Sequence, residues 1–293
     1  SPNCKFVHTE EHVIDDGYVP VIENDYTLVM PTSLPNWKYI QRALSRITKL
    51  EDLNVFYKSL LTSDKDKEEQ KCSITEIALI KALDESEMKV FKEVLPTITS
   101  LASHIDTILS PPPVMLLSQG TVLFTRRQCA SLIAAAVMGL FSTRLRRKEK
   151  EFCMLMSYPY CFLSEEQVQV TRGKALINYF HNVHTHMDDS AFMNEIVTIQ
   201  KHRTAPLNPR DLLQCKRPLC LGEVTNDRSI MSYTDKEYLK ADFANKYIGG
   251  GVLCGGSVQE EIMFMECPEA TTALFVLPVM DDLTTCRIMN IRQ

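Results

Sequence analysis

Glycine is concentrated at one point in this chain, and no other feature restricts the backbone as strongly. Five of the ten glycines in 293 residues lie within residues 249–256. Glycine adopts φ > 0 readily and lets a ligand approach the backbone closely. Two adjacent carboxylates, Glu260 and Glu261, follow the cluster, and a segment with Asp242 and Asn245 precedes it. We therefore predict a cradle for a phosphorylated or sugar ligand at this loop.

The known phosphate-binding fingerprints do not fit this loop. No Gly-Lys-Ser or Gly-Lys-Thr follows the glycines, and Cys254 stands where G-x-G-x-x-G requires its third glycine. A glycine cluster alone forms a tight turn about as often as it forms a ligand-binding loop. The prediction therefore depends on the flanking acidic residues. A nucleophilic Cys254 is an alternative because backbone amides can activate a thiol, although no histidine lies near it in the sequence.

Length and composition indicate a globular chain of one or two domains. Hydrophobic residues make up 45% and charged residues 24%, and the net charge of −5 gives no broad basic field for nucleic acid. An anionic polymer could still bind in a locally positive cleft. The longest apolar run, residues 129–141, is too short to span a bilayer, so we expect a buried helix there and no membrane partner.

The ten cysteines are scattered, and no C-x-x-C occurs. We therefore expect reduced thiols in a protein of the cytoplasm or nucleus, with Cys215 and Cys220 as packing residues. His181, His184 and His186, with two aspartates at 188 and 189, superficially suggest a metal site. Their i, i+3, i+5 spacing does not place all three imidazoles on one helical face, so we predict no metal.

Hydrophobic periodicity predicts helices in the first two thirds of the chain and strands near its end. Predicted helices cover residues 37–47, 53–61, 87–95, 98–109 and 127–141, with another after a Ser73/Glu76 capping box and one within 170–215. Predicted strands cover residues 219–224, 238–243, 273–279 and 287–291, with a helix after Gln259. We therefore predict an α/β fold of α+β character, with a mainly helical region at 1–215 and the start of an α/β domain at 216–293.

Glu260 and Glu261 are adjacent, so on a helix or strand they cannot face one atom as a symmetric pair. We expect different environments and different roles for them. Glycoside cleavage needs a protonated carboxyl for the leaving oxygen and a second group that stabilises an oxocarbenium-like centre. A neighbouring carboxylate beside a water-excluding loop would raise the pKa of such an acid. On the residues alone, an ordinary solvated pair is the commoner explanation.

The same stretch resembles the signature of poly(ADP-ribose) glycohydrolases, in which a triple glycine is followed some seven residues later by Gln-Glu-Glu. Here the glycines at 249–251 are followed by VLCGGSV and then by Gln259, Glu260 and Glu261, and the preceding ADFANKYI is similar to the family's DFAN segment. MPTSLPNWKYIQRAL, PPPVMLL and RRQCASLIAAAVMGLF resemble the family's helical part.

The resemblance implies a role for each matching residue. Glu261 would protonate the ribose-ribose O-glycosidic oxygen and then activate water, and Glu260 would orient the ribose hydroxyls. Asp242 would be a third catalytic residue, which with Asn245 helps to position that ribose and the glutamates. The remaining implied substrate contacts are Gly249, Gly250, Gly251 and Gln259. Ile230 is the nearest match to an adenine-contacting isoleucine, although Met231 stands where the family has an acid.

The resemblance also implies a fold and partners. The fold is a helical region packed on a macrodomain-like three-layer α/β domain, without a cofactor. The partners are poly(ADP-ribose), ADP-ribose and poly(ADP-ribosyl)ated proteins in the nucleus or cytoplasm. Family members continue beyond the point where this sequence stops, and the first residue is Ser1 instead of Met. We therefore expect a fragment, a shortened isoform or a paralogue. The alternative function is non-catalytic binding of ADP-ribose or of a protein.

Overall fold

A computed structural model describes residues 30–33, 36–62, 77–113, 115–116, 119–141, 159–206, 208–216, 239–253 and 255–292. Helices combine with a small antiparallel sheet, which agrees with the predicted mixture of α and β structure. The α-helices are α1 (Trp37–Leu44), α2 (Leu50–Thr62), α3 (Ala78–Ala82), α4 (Glu85–Ser103), α5 (Ile105–Ile108), α6 (Arg126–Val137), α7 (Pro159–Leu163), α8 (Gln167–Thr185), α9 (Ser190–Met193), α10 (Pro209–Gln214), α11 (Gln259–Glu266) and α12 (Ala273–Val276). The strands are β1 (Gly120–Thr125), β2 (Ile196–Arg203) and β3 (Thr284–Met289), and 3-10 turns lie at Pro31–Ser33 and Pro268–Thr272.

Helix α6 is the centre of the core, as its apolar run predicted. Every residue of α6 except Arg127 is buried. Thr125 caps its first turn by accepting the Gln128 N–H, and the Gln128 side chain accepts the Thr125 N–H in return. Gly139 follows the helix at φ 69°, a left-handed conformation that commonly ends helices. Burial of a helix on all faces is typical of the middle of a core.

Helix α4 joins two helices that the sequence predicts separately, at 87–95 and 98–109. Proline in a helix interior removes one hydrogen bond and usually ends the helix. Here Pro96 lies inside α4, and its neighbours Leu95 and Ile98 are buried against the core. Tertiary packing on both sides of the proline therefore outweighs the local break. Residues 105–108 form the separate short helix α5.

The sheet has the order β1-β2-β3, and both pairs are antiparallel. The register aligns Gly120 with Lys201 and Thr125 with Ile196, and then aligns Thr198 with Met289 and Arg203 with Thr284. Alternate residues of β2 are buried, as expected for a strand with one face on the core. Strands β1 and β2 were not predicted. The sheet therefore joins the region predicted as helical to the C-terminal region through its central strand.

Two of the predicted strands are wrong in whole or in part. Residues 273–276 of the predicted strand 273–279 form α12, because a short buried apolar run suits a helix as well as a strand. Residues 239–243 are irregular and not part of a strand. The predicted strand 287–291 overlaps β3. The predicted strand 219–224 and the Ser73/Glu76 capping box lie outside the described residues. Cys215 is exposed, so its predicted packing role is wrong.

A buried ion cluster connects α6 to the C-terminal residues. Arg126 contacts both oxygens of Glu269 at 2.5 Å and one oxygen of Glu195 at 2.7 Å. Arg292 adds a second contact to Glu195, and its backbone N–H donates to Glu269. Both guanidinium groups lie against the Phe192 ring, at 4.9 and 4.8 Å from its centroid. Because Arg126 and Glu269 are almost completely buried, each depends on the other for its counter-charge.

No helix in the part of the chain that the structure describes is long and apolar enough to cross a membrane.

Candidate functional site

The candidate site is the loop of residues 239–258 together with the first turn of α11. Gly249, Gly250 and Gly255 have φ values of 82°, 50° and 100°, so the loop uses backbone conformations that other residues rarely adopt. The backbone conformation of the loop therefore explains why glycine is concentrated in this region. The turn brings backbone N–H groups toward α11, where the two glutamates lie.

Glu260 holds the first half of the loop. Its Oε1 accepts the Gly249 N–H at 2.6 Å, and its Oε2 accepts the Asn245 N–H at 3.1 Å. The side chain is 3% exposed. Burial raises the pKa of the Glu260 carboxyl, the charge of Glu261 raises it further, and the two backbone hydrogen bonds oppose the rise. Glu260 is therefore a buried carboxyl, and the alternative of an ordinary solvated pair is excluded.

Glu261 holds the second half of the loop. Its Oε1 accepts the Gly251 N–H at 2.7 Å, and its Oε2 accepts the Val258 N–H at 3.0 Å. The Val258 contact is half of a capping box, and the other half is missing because valine has no side-chain acceptor. The two glutamates thus contact different backbone amides, as their adjacency predicted.

Asp242 lies beside the two glutamates. Burial, followed by the charges of Glu260 and Glu261, raises the pKa of Asp242 to about 6. Its buried Oδ1 atom has no hydrogen-bond partner among the described residues. An unsatisfied buried carboxyl oxygen is costly, so this atom is available to a hydroxyl or water donor.

Gln259 and Asn245 act on the loop itself. The Gln259 side chain donates to the Ala241 carbonyl at 2.9 Å and accepts the Phe243 N–H at 3.1 Å, which holds the segment around Asp242. Asn245 contributes its backbone N–H to Glu260, while its Oδ1 accepts the Tyr247 N–H at 3.2 Å. Both residues therefore stabilise the conformation of the loop through hydrogen bonds.

Two site residues were missed by the sequence reasoning. Arg172 of α8 donates through Nη2 to the Gly256 carbonyl. Gln169 lies one turn earlier, and with its amide oxygen turned toward them it accepts from Arg172 Nη1 at 3.2 Å and from the Gly255 N–H at 3.3 Å. Their i, i+3 spacing puts them on one helix face, but no local pattern marks that face as buried.

Comparison with known proteins assigns the chain to a family. Residues 83–201 match the model for the helical domain of poly(ADP-ribose) glycohydrolase, and residues 210–293 match the model for the macro domain fold of the same enzyme. The chain belongs to the poly(ADP-ribose) glycohydrolase family. The predicted resemblance is therefore confirmed, and so is the fold class of a helical region followed by a macro-type α/β region.

Individual relatives agree with this assignment. Poly(ADP-ribose) glycohydrolase 1 of Arabidopsis thaliana is 29% identical over 227 residues, which cover 71% of this chain and 40% of the relative. Poly(ADP-ribose) glycohydrolase 2 of Caenorhabditis elegans is 56% identical over 49 residues, covering 17% of this chain and 10% of the relative. The chain thus spans less than half the length of these glycohydrolases.

The histidines that superficially suggested a metal site make other contacts. His184 contacts Thr97 through Nδ1 at 2.8 Å, whereas His186 contacts the Asn182 carbonyl and stacks on Phe192. Within the described ranges, no group of three or more His, Cys, Asp or Glu residues could hold a metal ion. Ile230, Cys220 and Cys254 lie outside the described residues.

Proposed function

We propose that this chain carries the catalytic loop of a poly(ADP-ribose) glycohydrolase and hydrolyses the ribose-ribose O-glycosidic bonds of poly(ADP-ribose) to release ADP-ribose. One observation carries the proposal beyond family membership. Glu260 and Glu261 are both buried, and both are fixed by backbone amides of the glycine loop beside a third carboxyl, Asp242. Three carboxyl groups gathered where the loop meets the first turn of α11 suit proton transfer at a glycosidic oxygen.

Glu261 is the proposed general acid and base. A carboxylate offers about four lone-pair positions, and the Gly251 and Val258 amides occupy two of them. One lone pair on each oxygen is therefore available for the proton that the leaving ribose oxygen requires. After departure of that ribose, the same oxygen can take a proton from the attacking water.

Glu260 and Asp242 are the proposed ribose contacts. Burial raises the pKa of both carboxyls, that of Asp242 to about 6. Their carboxylate oxygens can accept hydrogen bonds from ribose hydroxyls. Gly250 lets the loop backbone pack directly on the two glutamates. Gln259 and Asn245 maintain the loop, and Ile230 is the proposed adenine contact. Proteins that carry poly(ADP-ribose) would present this substrate.

Binding without hydrolysis is the second candidate function. Both Glu261 oxygens accept backbone N–H groups in this arrangement, which is also what a purely structural carboxylate would do. A module of this kind would bind ADP-ribose or a protein and would need no proton transfer.

The deciding experiment measures ADP-ribose release from poly(ADP-ribose) by the chain and by Glu261→Gln. We expect the variant to lose about 100-fold or more of its turnover, because glutamine can neither donate nor accept the proton. Glu266→Gln, at the other end of α11, is the matched control and should keep normal turnover. Unchanged turnover in Glu261→Gln would exclude Glu261 as the acid.

Titration with ADP-ribose separates the two functions. An amide at residue 261 would face an N–H donor with its own NH2 group, so a melting curve must first show that the variant is folded. Binding by both proteins without turnover by either would favour the binding module. Turnover by the wild-type chain alone, with binding by both, would support the glycohydrolase.

A further inference from the structure

We propose that Arg172 and Gln169, both in the helical region, are positioning residues for the Glu261 carboxylate. The inference deepens the proposed function, and it rests on that function for its kinetic consequence. It gives α8 a role at the site in addition to its packing in the core.

The two side chains from α8 bind two successive residues of the loop, Gly255 and Gly256. Arg172 Nη2 donates to the Gly256 carbonyl, and the Gln169 amide oxygen accepts the Gly255 N–H. The same Gln169 oxygen accepts from Arg172 Nη1 at 3.2 Å, so the two side chains hold each other as well as the loop.

The chemistry of Arg172 is unusual for a residue that serves only stability. Its side chain is 2% exposed, yet none of the salt bridges between described residues involves it. Its Nε also lacks a hydrogen-bond partner in the described part of the chain. A buried guanidinium without a carboxylate is expensive, and an apolar side chain would fill the space at lower cost. The unfavourable burial of Arg172 is explained if its guanidinium N–H groups are needed to hold the Gly256 carbonyl.

The held turn lies directly against Glu261. A Cβ atom on Gly256 would lie 2.7 Å from Glu261 Oε1, so the carboxylate packs on this glycine. The Gly256 N–H donates to the Gly251 carbonyl at 2.9 Å, and the Gly251 N–H donates to Glu261 Oε1 at 2.7 Å. A shift of Gly256 therefore moves both the surface under the carboxylate and one of its two amide donors.

The test compares two buried arginines that both reach the C-terminal region. In Arg172→Lys the ammonium keeps the charge but cannot span Gly256 and Gln169 together. Arg126→Lys is the matched control, because Arg126 is equally buried but contacts Glu269 and Glu195 instead of the loop. Gln169→Met is the second variant, since it keeps the side-chain length and removes the polar contacts.

Two measurements decide the outcome. At equal folded fraction, Arg172→Lys should lower kcat for ADP-ribose release about 10- to 100-fold with little change in KM, because the substrate still binds but the acid is misplaced. Gln169→Met should lower kcat by a smaller factor, and Arg126→Lys should leave it unchanged. Equal kcat in wild type and Arg172→Lys, or an equal loss in Arg126→Lys, would overturn the inference.

Hydrogen exchange makes the inference independent of the proposed function. The Gly251 and Val258 amides should exchange faster in Arg172→Lys than in Arg126→Lys, whether or not the chain is active. If the wild-type chain shows no turnover, the proposed function fails, while faster exchange confined to the loop still supports the positioning role. Identical exchange of these amides in both variants would overturn it.

Discussion

A Cβ atom on Gly250 would lie 2.5 Å from Glu261 Oε1, so the glycine and the glutamate leave no room for a side chain between them. The same Cβ atom would lie 2.7 Å from Glu260 Oε2. Gly250 also has φ 50°. The middle glycine of the triplet is therefore required for two reasons, a left-handed backbone and the space between two carboxylates.

Gly250→Ala should remove activity and destabilise the chain. The left-handed conformation costs a non-glycine residue about 1–2 kcal/mol, and the methyl group displaces at least one carboxylate. We expect a loss of about 100-fold or more in ADP-ribose release, since a misplacement near 1 Å has an effect of this size. Turnover and urea denaturation are measured on the same preparation.

Gly139→Ala is the control for that substitution. Gly139 has φ 69° at the end of α6, so alanine meets the same backbone strain away from the carboxylates. Its stability should fall while turnover per folded molecule stays normal. An equal loss of turnover in both variants would mean that strain alone explains the effect.

Asp242→Asn should change how stability depends on pH. Because burial, Glu260 and Glu261 raise the pKa of Asp242 from 3.8 to about 6, the folded state keeps a proton that the unfolded state has lost between these values. The wild-type free energy of unfolding therefore falls as pH rises through this window, by about 1–2 kcal/mol after allowance for partial exposure. Asparagine does not titrate, so urea denaturation of the variant should show a smaller fall.

Asp281→Asn should change the pH dependence of the free energy of unfolding in the opposite direction. The hydrogen bond from the Thr284 side chain, with Arg203, lowers the pKa of Asp281, so its stabilising effect is present above the ordinary aspartate pKa. The substitution should therefore lower stability at neutral pH and leave it unchanged in acid. A parallel pH profile for both variants would contradict the assignment.

Glu269→Ala should be severely destabilising. It leaves the Arg126 guanidinium buried with only the partly exposed Glu195 as counter-charge. Removing one member of a buried pair costs about 3–5 kcal/mol, which urea denaturation can measure. Lys174→Met, which removes a partly exposed ion pair with Glu87, should change the denaturation midpoint little. A similar small change in both variants would contradict the structural role of the cluster.

Cys286 should resist alkylation while Cys215 reacts. Burial, together with the charges of Asp242 and Glu260, raises the pKa of the Cys286 thiol to about 12. The thiolate is the reactive form, so Cys286 should stay unmodified by iodoacetamide at mildly alkaline pH, whereas Cys215 is exposed. Peptide mass spectrometry reports each site, and both cysteines should react in the urea-unfolded chain. Early modification of Cys286 would show that the strand opens near the site.

The glycine loop, the Gln-Glu-Glu motif and α6 could all be predicted from the sequence. Glycine spacing, an apolar run and adjacent carboxylates act within a few residues, so their consequences are visible locally. Strand β2 carried a usable signal as well, since Val197 and Ile199 alternate with Thr198 and Gln200. The different environments of Glu260 and Glu261 followed from their adjacency alone.

Only the tertiary structure decided which groups meet at the loop. Gly256 receives the Arg172 guanidinium across 84 residues of sequence, and Glu269 receives Arg126 across 143. Residues 273–276 became helical and Pro96 stayed inside a helix because of packing that no local pattern encodes. Burial and long-range hydrogen bonds depend on the whole fold. The geometry of the site is therefore decided by the tertiary structure and not by the local motif.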